Sequence, residues 1–272
     1  MTGKDLRDFL NDGKRAYGSL IVNNSPRFVG AAKSIGLDYV FIDTEHISLS
    51  RQDLYWMCEG YASAGIPPIV RIPNHDPNFA TMAIDAGASG VMVPYVEEVS
   101  QVEELVKAVK LRPYKGVKAE QILRDRTSVS QKTQDYIEEF NKNHILLINI
   151  ESKRAVENLE NLLAVDGVDG IIIGPHDLSC SYEMPEEYHS QEFVDLVSSI
   201  LKKTRECGKW AGIHQTSNNM QSIKKWCNDG ANIVLHKADI IAFVEKLTDD
   251  IAEIKKSVDG LDSSTERENI NI

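Results

Sequence analysis

The stretch DYVFIDTEHISLS, Asp38 to Ser50, begins as a buried strand and ends as something else. Tyr39 to Ile42 is aromatic and β-branched, the composition of a strand covered on both faces, as strands of parallel sheets are. It then runs without a Gly or Pro break into Asp43, Glu45 and His46, three ionisable side chains within four residues. A strand that delivers acids and an imidazole at its C-terminal end has the layout of a parallel α/β active site.

The same pattern recurs in both directions from there. Val- and Ile-rich runs occupy Gly18–Val22, Tyr39–Asp43, Ile69–Ile72, Gly90–Pro94, Ile145–Ile150, Gly170–Ile173, Ala211–His214 and Asn232–His236. Between them, VSQVEELVKAVKL (99–111) and SQEFVDLVSSILKKTRECG (190–208) space apolar residues at three and four, as amphipathic helices do, and Gly208 is placed to end the second. Eight strands alternating with helices predict a single (β/α)8 barrel. The competitor, a doubly wound open sheet, lacks its usual signatures: no G-x-G-x-x-G follows the first strand, and no G-x-x-x-x-G-K-[ST] occurs. One crossover, KGVKAEQILRDRTSVSQKTQDYIEEF (115–140), is long and polar; the expectation is a loop over the site in its front half and a helix only at its end. The barrel is expected over residues 1–258, with a disordered polar tail over 259–272.

Thirty basic against forty-one acidic residues give a net charge of −11, a field that repels phosphate backbones and anionic lipid surfaces, so neither nucleic-acid nor membrane binding is expected. The four cysteines lie far apart without a C-x-x-C, which argues against a zinc knuckle or a redox motif. A polar N-terminus and the lack of any long apolar run point to a cytoplasmic protein.

Chemistry in such barrels sits at the C-terminal ends of the strands. That filter selects Asp43, Glu45 and His46 after the second strand, Arg71 at the end of the third, Glu151 after the fifth and Asp177 after the sixth. Glu151 and Asp177 come from adjacent strands, and two hard oxygen donors are how Mg²⁺ or Mn²⁺ is held with room for water and substrate. Arg71 is suited to a carboxylate or a developing enolate oxygen, and His46 to moving protons. Each has a structural competitor: a helix-terminal carboxylate for Glu151, an N-cap for Asp177, a salt bridge to Asp43 or Glu45 for Arg71. A Schiff base at Lys237, after the eighth strand, is the rival chemistry, but it does not need the Glu151/Asp177 pair.

Asp43-x-Glu45-His46, Arg71, AGASGVMVPYV (86–96), IESKRA (150–155) and VDGIIIGPHDLS (168–179) together resemble the HpcH/HpaI aldolases, metal-dependent class II pyruvate aldolases, from about Tyr17 to Glu245. The resemblance implies a divalent cation (Mg²⁺, Mn²⁺ or Co²⁺) on Glu151 and Asp177. It implies a 4-hydroxy-2-oxo acid cleaved to pyruvate and an aldehyde, with Arg71 on the enolate oxygen and His46, paired with Asp85, as acid and base. Asp43 and Glu45 would hold metal waters, and the turn Gly174-Pro175-His176-Asp177 would hold the pyruvate carboxylate through its backbone N–H groups. It also implies a homo-oligomer, a hexamer of barrel dimers with the C-terminal helix packed across a subunit boundary. Three positions depart from the family: His176 where a small residue is usual, His214 where an apolar side chain commonly lines the aldehyde pocket, and no Arg-Gly-x-Gly in the long crossover. All three bear on the aldehyde. Oxaloacetate decarboxylation, or keto-acid binding without catalysis, are the alternatives at the same site.

Overall fold

The computed structural model describes residues 1–215 and 219–260. Its strands are β1 (Ala16–Leu20), β2 (Tyr39–Asp43), β3 (Pro68–Arg71), β4 (Gly90–Val93), β5 (Ile145–Ile150), β6 (Gly170–Ile173), β7 (Trp210–Gln215) and β8 (Ile233–Ala238). They are parallel, pair in chain order and close into a barrel through β1 and β8. Alternation along each strand sorts the apolar residues into two cores. Tyr39, Phe41, Ile69, Met92, Leu147 and Ile172 fill the barrel, while Val40, Ile42, Val70, Val91, Ile148 and Ile171 face the helices outside it.

The N-terminal helix Gly3–Asn11 starts on a capping box between Thr2 and Asp5 and buries Leu6 and Leu10. Both leucines join the interior core. They plug the end of the barrel opposite the strand C-termini and leave the other end for chemistry. β1 lies two residues earlier than the sequence predicts, and β8 runs on to Ala238. Closure sets both limits, since Ala16 must pair with Ile233 and Leu20 with Ala238.

The long crossover corrects the sequence reading. Its front half is a helix, Gly116–Arg124, followed by a 3₁₀ turn and the expected helix Gln131–Asn141. Ile122 and Ile137 bury against Leu111 in a small core of their own. Lys107 to Glu120 (2.6 Å) and Arg124 to Glu103 (2.8 Å) bind the front helix to Val99–Lys110 on the outer ring. The segment is a second helical layer on the barrel's flank, not a loop over the site.

The last long helix, Asp239–Ile254, buries none of its side chains. Phe243 (60% exposed), Leu247, Ile251 and Ile254 stand open along it at helical spacing. The polar tail expected from residue 259 lies outside the described residues from 261 onward. No helix among the described residues is long and apolar enough to cross a membrane.

Candidate active site

β2 and β3 run side by side with Asp43 opposite Arg71. The chain after β2 bends back over that end: the Thr44 N–H and hydroxyl both donate to the Arg71 carbonyl, at 3.0 and 2.6 Å. Asp43, 2% exposed, accepts a fork of two bonds from Arg71, Nε to Oδ1 at 2.9 Å and Nη2 to Oδ2 at 2.7 Å. Burial works against charge on Asp43, but the Arg71 guanidinium outweighs it and holds the carboxyl below its ordinary range. The remaining nitrogen, Nη1, faces the mouth, 3.1 Å from Glu45 and 3.9 Å from Glu151. Beneath, Phe41 stacks under the guanidinium at 5.6 Å.

Glu151, 2% exposed, follows β5 in a fitted cradle. Oε1 accepts from Asn149 Nδ2 at 2.7 Å, and Oε2 from the Tyr95 backbone N–H at 2.8 Å. Tyr95 adopts φ +51°, a left-handed conformation uncommon outside glycine, and in it aims its N–H at the carboxylate. On the other side, a Cβ at Gly174 would lie 2.2 Å from Oε1, so only glycine leaves room. Burial pushes the Glu151 carboxyl up; the two N–H donors pull it down, and the charge of Asp177 raises it again. Asp177 lies in the first turn of Pro175–Ser181, the short helix that β6 feeds. Ser152 is the N-cap of the helix after Glu151, and Asp177 sits in the first turn of its own helix, not at its N-cap.

Three carboxylates, Asp43, Glu45 and Glu151, thus converge on one guanidinium, and the charge of a fourth, Asp177, reaches Glu45 and Glu151. Glu45 registers the excess: burial first, then the charges of Glu151, Asp43 and Asp177, push it up to about 7 against the pull of Arg71. Since the folded value lies above the ordinary 4.5, the stability that this group contributes is complete below about pH 4.5 and is lost as pH rises through 7. In chelator-treated protein, denaturant midpoints measured from pH 5 to 8 should fall by on the order of 2 kcal/mol in unfolding free energy, and Glu45→Gln should flatten that slope. An equal slope in the variant would assign it to another group.

The other expected residues are distributed as follows. His46 is 52% exposed at the mouth, its Nε2 3.6 Å from Glu45 Oε2. His214 projects into the barrel from β7 and meets Phe41 edge-on, centroids 5.8 Å apart. Gly174 and Pro175 begin the Asp177 helix, and His176, exposed beside Asp177, shares a 3.1 Å hydrogen bond with Tyr188. Asp85 is not brought to His46 in this chain. It ends the helix Pro77–Asp85, just before β4 begins at the foot of the barrel, and there it pairs with Arg112. Asp43 accepts the two Arg71 bonds and, at Oδ1, the Glu45 N–H at 3.0 Å. Lys237 is paired with Glu245, which engages the amine that a Schiff base would need. Sequence reasoning missed Asn149 and Tyr95. The signal for Asn149 was an amide inside the apolar run ILLINI, two residues before Glu151 and on the same face.

Among the described residues no group of three or more His, Cys, Asp and Glu side chains is disposed to hold a metal. The candidate set is the open pair Glu151 and Asp177, both hard oxygen donors within a surplus of negative charge, and such a pair fits a hard divalent cation.

A closed parallel barrel with carboxylates and a buried arginine at its strand ends has the build of a barrel enzyme, with charged groups gathered where such enzymes hold their active sites. Residues 18–241 match the HpcH/HpaI aldolase/citrate lyase family, and the chain belongs to it. It is an aldolase, a carbon–carbon lyase. A 2-keto-3-deoxy-L-rhamnonate aldolase of Escherichia coli K12 is 28% identical over 258 residues, 94% of each chain. The crystal structure of an HpcH/HpaI aldolase from Desulfitobacterium hafniense DCB-2 superposes with a TM-score of 0.80 at 25% identity, covering 92% of this chain and 96% of that one. The citrate synthase SbnG superposes equally well, at 25% identity over 93% of this chain and 98% of its own. The aldolase relatives do not favour decarboxylation or non-catalytic binding as this protein's role.

Proposed function

We propose that this aldolase cleaves a 4-hydroxy-2-oxo acid to pyruvate and an aldehyde through a pyruvate enolate, with Glu151 and Asp177 as the ligands of a divalent cation. The observation that carries this reading is the convergence of Asp43, Glu45 and Glu151 on Arg71 at one barrel mouth, with the charge of Asp177 reaching Glu45 and Glu151. A Mg²⁺ or Mn²⁺ ion held there supplies Lewis acidity to the keto acid and offsets the charge surplus. Arg71 Nη1 is the donor open to the mouth; it meets the negative charge that gathers on the keto oxygen as the C3–C4 bond breaks. The same guanidinium is fixed by the Asp43 fork, so it need not reorganise during the reaction. The first-turn N–H groups of His176 and Asp177 are donors for the pyruvate carboxylate, Pro175 before them having none. His46 is the group to take the C4 hydroxyl proton and to return a proton to C3; Glu45 beside it steadies the imidazolium.

Chelation should abolish aldehyde release, and Mn²⁺ or Mg²⁺ should restore it; full activity after exhaustive chelation rejects the cation. Exchange of the pyruvate C3 protons with D₂O, followed by NMR, should slow by about 10²-fold or more in His46→Ala. An unchanged rate removes His46 as the base.

The helix Asp239–Ile254, with its open apolar stripe, supports a homo-oligomer in which a second copy covers it. The related aldolase's name suggests a deoxy sugar acid as substrate, and the acidic mouth is compatible with one once a cation is bound.

A further inference from the structure

The two donors to Glu151 are not equally secure. Asn149 Nδ2 comes from the same strand, two residues before the acid. The Tyr95 N–H comes from the loop after β4, and it reaches Oε2 only because Tyr95 sits at φ +51°, a conformation that its own Cβ disfavours. Such a backbone persists only where its surroundings over-determine it. Pro94 and Val96, on either side, are buried. The polar ties all pass through the next residue, Glu97. Its N–H and that of Glu98 both donate to Gln101 Oε1, at 2.9 and 3.0 Å, which fastens the loop to the helix Val99–Lys110. The Glu97 carbonyl accepts from Asn158 Nδ2 at 3.0 Å, and its carboxylate accepts from the Ser152 hydroxyl. Ser152, 4% exposed, is the residue directly after Glu151. Glu98, one position on, turns to Arg154 instead.

We propose that Glu97 is a positioning residue for the cation site: through Ser152 it ties the loop that supplies the Tyr95 N–H to the segment that carries Glu151, and so sets the orientation in which Glu151 takes up a divalent cation. The inference rests on the reading of Glu151 as a cation ligand and adds the residue that holds that ligand in place. The last torsion of a glutamate is broad, so its carboxylate keeps one orientation only while both oxygens are engaged. Oε1 has a partner on its own strand. Oε2 depends on a neighbouring loop whose shape is not self-supporting. With the Ser152 tie cut, Tyr95 relaxes toward negative φ, its N–H turns away from Oε2, and Glu151 must be ordered by the cation at a cost to affinity.

The test is calorimetric titration of the full chain with Mn²⁺, with the unfolding midpoint of the chelated protein measured alongside. Glu97→Ala should weaken binding by about tenfold to a hundredfold, the usual effect of removing a residue that orients a metal ligand. Glu97→Gln keeps an oxygen for the Ser152 hydroxyl and loses only the charge, so it should stay within about threefold of wild type. In the metal-free protein, amide hydrogen exchange over residues 94–98 should quicken in the Ala variant and not in the Gln variant. Wild-type affinity in Glu97→Ala overturns the proposal. So does a loss in Glu97→Gln as large as that in Glu97→Ala, since the cation would then be sensing the charge of Glu97 and not its tie. Should Glu97→Ala fail to fold, Gln101→Met cuts the loop's tie to the helix Val99–Lys110 and should weaken binding in the same way; unchanged affinity there overturns the proposal equally. Wild-type binding that the variants leave untouched sinks this inference alone, whereas a wild type that takes up no Mn²⁺ sinks the reading of Glu151 beneath it.

Discussion

Glu151→Gln should lose divalent-cation binding, read by titration calorimetry with Mn²⁺, and lower kcat for cleavage by about a thousandfold or more, some 4 kcal/mol of transition-state stabilisation. The variant keeps the side chain's shape and removes its charge. It also conflicts with the cradle. Both oxygens of Glu151 accept from N–H groups, Asn149 Nδ2 on one side and the Tyr95 backbone on the other. A carboxamide has only one oxygen, so its NH₂ must face one of those donors, at a cost of about 1–3 kcal/mol in stability. Asn149→Leu separates the two effects: it frees Oε1 without removing the charge, so cation affinity should weaken but persist. Cation binding at wild-type affinity in Glu151→Gln would show that the ion is held elsewhere.

The second large effect is at Arg71, where stability and chemistry are tied to the same side chain. Arg71→Ala leaves Asp43 as a buried, unpaired carboxylate and should destabilise the fold by about 3–5 kcal/mol. Arg71→Lys retains a positive charge but cannot reproduce the fork of 2.9 and 2.7 Å bonds while also presenting a donor toward Glu45 and Glu151. Its kcat should drop by about 10²–10³-fold with a much smaller loss of stability. The pair Arg71→Met with Asp43→Asn removes both charges together. It should recover most of the stability lost in Arg71→Ala and none of the activity. Recovery of turnover in that double variant would make Arg71 a purely structural residue.

The strands that the sequence locates residue for residue are β2, β5 and β6. They are buried on both faces over their whole length and apolar but for Asp43 and Asn149, so composition and pairing agree. β1 and β8 are displaced because barrel closure, a contact between the two ends of the chain, fixes their limits. Such a contact leaves no mark on local composition. The crossover helix Gly116–Arg124 is hidden for a different reason: it buries only Ala119 and Ile122, too few apolar positions to stand out from a polar segment. Within the site, strand-end placement makes Glu45, Arg71 and Glu151 legible, since register alone sends their side chains to one mouth. Asp85 goes astray because its helix runs antiparallel to the strands and returns the chain to the foot of the barrel before β4. Tyr95 is invisible to any reading of side chains, since its contribution is a backbone N–H aimed by an unusual φ.

Gly174 has φ −89°, a torsion open to every amino acid, and yet no other residue has space there. Its requirement is volumetric: the missing methyl is the hollow into which a neighbouring strand's acid nests. A single added carbon would evict that acid while leaving the peptide path undisturbed, so an alanine at this spot is a near-silent way to empty the reaction chamber of its anchoring charge.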